Sequence, residues 1–65
     1  MDYELLEYGK QYVRNMFGEK FVAEFERNYT NLNNGTPIGS FVETARFLEL
    51  LDTIRDEMSR NGKNS

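Results

Sequence analysis

An all-α fold is the class this sequence predicts, and three observations predict it. Apolar residues recur at helical spacing in three separate stretches. No stretch alternates apolar and polar residues over the length of a strand. Turn-forming residues concentrate in one segment, residues 30–39. With 65 residues the chain has room for a single domain, residues 1–65. A chain of this size buries only about 60% of its unfolded surface, and small proteins usually supplement so thin a core with disulfides, a metal or oligomerisation. Cysteine and histidine are both absent, which removes disulfides, thiolate chemistry and the usual zinc sites. The expectation is a small three-helix domain, two short helices and one long C-terminal helix, completed by homo-oligomerisation. A twofold dimer is the simplest such assembly.

The first helix is expected over residues 2–17. Asp2, Glu4 and Glu7 lie in its opening turns, with Lys10 and Arg14 following, an order that suits the helix dipole. Leu5, Tyr8, Tyr12, Val13 and Met16 share one face, with Leu6 and Phe17 at its edge. Gly9 falls near the middle of that face. It costs about 1 kcal/mol of helix propensity relative to Ala, and close approach of another helix gives the reason for it. Gly18 is a helix stop. A bend at Gly18 would leave two helices nearly continuous; the reading preferred here is a break.

The second helix is expected over residues 19–29, where Phe21, Val22, Phe25 and Tyr29 form a narrow stripe. Residues 30–39 read as loop, with Asn33, Asn34, Gly35, Pro37 and Gly39 as turn formers. Within that loop, Thr36-Pro37 offers a second start for the last helix.

The last helix is expected over residues 40–61, and the other two are expected to pack on it. Phe47, Leu50, Leu51, Ile54 and Met58 project together, and Phe41, Thr44, Ala45 and Leu48 widen the arc to about half the cylinder. That is broader than the ~100° stripe of a helix with one neighbour, so the surplus, centred on Leu50, Ile54 and Met58, is assigned to self-association. Ser40-x-x-Glu43 matches a capping box at its start. Asn61-Gly62 reads as its C-terminal stop, leaving residues 62–65 as a frayed tail.

Charge and composition exclude several functions. The net charge is −3 and the isoelectric point is near 4.8, which opposes the counterion release that drives non-specific nucleic-acid binding. Helix-turn-helix readers use a 3–4-residue turn and a basic recognition helix; here the connection is longer and Glu49, Asp56 and Glu57 face outward, so a DNA-binding regulator is a distant alternative. No apolar run approaches the ~18 residues of a membrane span. The opening MDYELLEYGK has no basic segment leading into an apolar one, and a cytoplasmic protein is expected. On that expectation Asn28-Tyr29-Thr30 and Asn34-Gly35-Thr36 match the glycosylation pattern by coincidence.

Catalytic chemistry finds little footing. A nucleophile needs a neighbouring base, most often His, and Lys10, Lys20 and Lys63 occupy solvated positions. The eleven acids decorate polar helix faces rather than forming a spaced pair. A calcium hand fails on its spacing, and residues 30–39 hold no carboxylate. The chain is therefore expected to be non-enzymatic, without cofactor or metal.

Two features remain. All four tyrosines lie in the first 29 residues, and Tyr is an amphipathic anchor common at interfaces. Arg55 projects inside the apolar arc, either snorkelling beside a carboxylate such as Asp52 or Glu4, or serving as a bidentate contact. Tyr8, Tyr12 and Arg55 are thus the candidate binding residues. The expected function is an acidic helical module that binds and modulates another protein. The alternative is a homo-oligomer holding a small anionic metabolite or nucleotide.

Overall fold

The computed structural model describes residues 1–38 and 44–63. Three α-helices are present, α1 (Tyr3–Phe17), α2 (Val22–Asn33) and α3 (Thr44–Lys63), with a 3-10 turn, Glu19–Phe21, ahead of α2. Among the described residues there is no strand. The proposed capping box of residues 40–43 lies outside the described residues.

Asp2 starts α1. Its carboxylate accepts from the Leu5 amide at 3.0 Å, satisfying one of the orphan donors of a helix start. The same residue's carbonyl accepts from the Tyr29 hydroxyl at 3.1 Å, which ties the last part of α2 to the first turn of α1. At the other end Gly18 closes the helix, its amide shared between the carbonyls of Val13 and Arg14 at 3.2 Å each. The break expected at Gly18 is therefore present, and the chain re-enters helix through the 3-10 turn.

α1, not the last helix, is the shared element. α2 and α3 each pack against α1, whereas no Cα of α2 lies within 8 Å of a Cα of α3 among the described residues. This corrects the expectation that two short helices pack on the long one. The contacts also fix direction. Asp2 with Tyr29, Lys10 with Glu26 and Arg14 with Glu19 make α1 and α2 antiparallel. Tyr8 with Asn61, and Gly9 with Ile54, make α1 and α3 antiparallel as well. α2 and α3 are consequently parallel, flanking α1, and meet through the rings of Phe25 and Phe47, whose centroids lie 5.6 Å apart. Two parallel neighbours cannot be joined by a tight turn, which supplies a physical reason for the long connection.

The core follows from this arrangement. Leu5, Leu6 and Val13 of α1 meet Phe25 and Tyr29 of α2 and Phe47, Leu51 and Ile54 of α3. Tyr8, Tyr12, Leu32, Ile38, Leu50 and Met58 pack around it, partly buried. Leu32 explains why α2 runs four residues beyond its expected end at Tyr29. It extends the stripe of Val22, Phe25 and Tyr29 by one more turn, and its burial outweighs the weak helix propensity of Thr30, Asn31 and Asn33. The helix stops where Gly35 turns with φ +75°. α3 likewise passes through Asn61-Gly62 to Lys63, and Asn61 donates to the Tyr8 hydroxyl instead of ending the helix.

Gly9 sits where both partners cross α1. A Cβ placed there would lie 2.5 Å from Phe25 Cζ and 3.5 Å from Ile54 Cδ1. Phe25 has no room to withdraw, being buried and held between Tyr29 and Phe47. Gly9→Leu is therefore expected to destabilise by about 1–3 kcal/mol through overpacking, despite a gain in helix propensity. Urea unfolding measures this, and a higher midpoint would contradict the crossing.

Candidate functional site

The short link between α1 and α2 decides which apolar residues stay outside. Gly18 holds φ +110° and ψ 159°, a conformation essentially confined to glycine. It swings the chain so that Phe17 and Phe21 straddle the bend, 53% and 40% exposed. Met16 is 61% exposed beside them. The sequence placed Met16 and Phe21 on buried stripes; the bend takes Phe21 out of the α2 stripe and leaves Met16 beyond the reach of either neighbour. A methyl group at Gly18 would meet open space, so any cost of Gly18→Ala is conformational. The expected loss is about 1–3 kcal/mol, read as a lower thermal midpoint; an unchanged midpoint would show the dihedral to be unimportant.

Two depressions adjoin this exposed edge. The first lies between α2 and α3 with α1 as its floor, a cavity of about 150 Å³. Val13 and Phe17, Phe21 and Phe25, Phe47 and Leu50 supply its apolar wall, and Glu24 and Asn28 its polar atoms. Beside it α2 and α3 meet through the Phe25–Phe47 ring pair, with no Cα pair within 8 Å among the described residues. The second is a hollow of about 290 Å³ on α1, lined by Tyr8, Gln11, Tyr12, Asn15 and Met16. Here half-buried aromatic rings are bordered by neutral amides.

The predicted residues divide between these places. Tyr8 and Tyr12 come together in the hollow on α1. Arg55 is not in its lining; it is exposed and pairs with Asp52 at 3.5 Å. Its position inside the apolar arc did not bury it, because it lies toward the Leu48 flank of that arc, where Leu48 is itself 43% exposed. Of the residues assigned to self-association, Ile54 is fully buried against Gly9. It is committed to the core of a single chain and is not available to a second one. Leu50 and Met58 are half-buried, and Leu50 lines the groove. The sequence reading missed Asn28, which is 1% exposed at the groove wall. The signal available was its place three residues after Phe25, on the α2 stripe.

Apart from Glu24 in the first cavity, the charged residues are not among those that line these two surfaces. Lys10 lies between Glu7 and Glu26 at 3.4 and 3.8 Å, and Arg14 holds Glu19 at 3.1 Å. Arg60 pairs with Asp56 on the exposed side of α3, and that hydrogen bond and charge, with Glu57, raise its pKa above the ordinary value. Exposed pairs such as these are screened by solvent and add little to stability. Among the described residues no group of three or more acidic side chains is placed to hold a metal ion, and no helix is long and apolar enough to cross a membrane. Comparisons with protein-family models, with curated proteins and with solved structures give no match, so function is read from the chemistry of these surfaces.

Proposed function

We propose that this chain is a non-enzymatic protein–protein interaction module that binds and modulates another protein, using the hollow on α1. The observation that supports this reading is the run of aromatic and sulfur-bearing side chains left at the surface beside neutral amides. Tyr8, Tyr12 and Met16 present apolar area with two hydroxyls, and Gln11 and Asn15 form an uncharged rim. Interface cores are enriched in such residues and depleted of charge, and Tyr is over-represented among the residues that dominate binding energy. The tyrosines are already ordered by packing on the core, so little rotamer entropy is lost when a partner covers them. The acidic groups of α3 are not among the residues that line this hollow. Their role in this reading is to steer encounter and set its salt dependence rather than affinity. A small anionic ligand finds no cation in the lining, which gives the alternative no comparable support.

The test is capture from lysate with immobilised protein, read by mass spectrometry. Tyr12→Ala and Met16→Ser are expected to weaken capture of the principal partner by roughly tenfold. Arg55→Ala, which alters an exposed pair with Asp52, is expected to leave it intact. A panel of nucleotides and other anionic metabolites is expected to leave the melting temperature unchanged. Capture that survives both hollow variants, with only stability altered, would make the tyrosines purely structural.

A further inference from the structure

We propose that the recess between α2 and α3 is a binding site for one small, uncharged aromatic molecule. This site is separate from the interaction reading, which uses the hollow on α1.

Volume sets the size of the guest. The cavity measures about 150 Å³, and an apolar cavity of about that volume, lined by Leu, Ile and Phe, stays dry and accepts benzene. The guest is therefore a molecule of about six to nine non-hydrogen atoms. A peptide or a second folded chain is too large. The inner walls are closed, since Val13, Phe25, Asn28 and Phe47 are each no more than 3% exposed. Entry is from the side of Phe17, Phe21, Glu24 and Leu50, which are exposed or half-buried. Exposed side chains change rotamer within nanoseconds, so the rings of Phe17 and Phe21 do not bar the way.

Lining chemistry sets the class. Phe17, Phe21, Phe25 and Phe47 surround the recess. Phe25 and Phe47 already form a tilted pair with centroids 5.6 Å apart. An aromatic guest extends that packing through edge-to-face or offset contacts. Leaving the recess unfilled forfeits contacts for every wall atom, a loss that the thin core of so small a chain feels strongly. A guest restores those contacts.

Charge is not accommodated. An ion entering this lining would exchange water for side chains that are mainly hydrocarbon. Glu24 is the ionisable residue of the wall, half-buried, and it makes no ion pair with any described residue. Its sign opposes a carboxylate or a phosphate. Lys20 lies over the ring of Phe21 at the mouth, 5.4 Å from its centroid, and opposes an incoming cation.

Methyl NMR on the full chain, with benzene and indole as probes, tests the site. The expected result is saturable shifts at Val13 and Leu50, with a dissociation constant of about 0.1–1 mM for so few atoms. The thermal midpoint should rise by several degrees near saturation. Benzoate and benzylamine carry the same ring with a charge and should bind at least about tenfold more weakly. Val13→Phe and Leu50→Phe each put a ring into the recess from a different helix. Either should abolish the midpoint response to benzene with helical circular dichroism unchanged, and Leu50→Phe decides if Val13→Phe fails to fold. Absence of saturable shifts at both methyl groups overturns the site. So does an undiminished response in the folded variants, binding of benzoate or benzylamine as tight as benzene, or shifts centred on Tyr8, Tyr12 and Met16. A chain that ignores benzene yet captures its partner through Tyr12 loses the recess and keeps the interaction reading. One that binds benzene at Val13 and Leu50 but captures nothing does the reverse.

Discussion

Gly9 is the point through which both packing interfaces of this protein pass. The tip of the Phe25 ring and the Ile54 methyl approach the same Cα from α2 and α3, and any side chain there would displace one of them. Because α2 and α3 do not approach each other by backbone, the position of each is set by its fit against α1. The Phe25–Phe47 contact follows from that fit: a ring seated over Gly9 is brought beside the first turns of α3. Glycine in mid-helix sacrifices about 1 kcal/mol of propensity. Close approach more than offsets it by letting Leu5, Val13, Phe25 and Ile54 bury almost completely, at about 1.5–3 kcal/mol for each large apolar side chain.

α1 packs along both of its neighbours, whereas α2 and α3 meet through the Phe25–Phe47 ring pair beside the groove, with no Cα pair within 8 Å among the described residues. The consequences are visible along α3, where Phe47, Leu51 and Ile54 face α1 and are buried, while Leu48 on the flank is not. The half-cylinder arc read from the sequence is thus real as a property of the residues but only partly used by the single chain. The same geometry explains the exposure of Phe17 and Phe21. They flank the link between α1 and α2, and Gly18 leaves them along the rim of the groove rather than in the core. Unused apolar surface in a small acidic chain is the feature from which both functional proposals grow.

Much of this fold was legible in the sequence, and the parts that were not share a cause. Spacing of apolar residues reveals that a helix has a buried face, so all three helices and the crossing at Gly9 could be read. It does not reveal which neighbour covers the face. That is why α1, with its half-polar sequence, was not recognised as the hub, and why Ile54 was offered to a second copy when it belongs to Gly9. The end of α2 was missed because Leu32, a single apolar residue among Asn and Thr, counts for little in local propensity and for much in the packed core. Asn61-Gly62 failed as a stop because Asn61 found a tertiary partner in Tyr8. Of the candidate site, the tyrosines were legible as a stripe; Arg55 was not, because an arc position implies burial only where something packs against it.

Charge and apolar surface have to be weighed on different length scales. A pair of chains carries twice the single-chain charge of −3, which opposes association when ionic strength is low. At physiological salt the screening length is about 8 Å, so charges on the far sides of two copies barely sense one another. The signs within a few ångströms of a contact decide instead. Around the groove those signs are mixed, with Lys20 on the edge and Glu24 in the wall, while the exposed face of α3 carries Glu49, Asp52 and Asp56. Net charge therefore acts on distant encounters at low salt, and at physiological salt the signs beside each surface decide what can approach it.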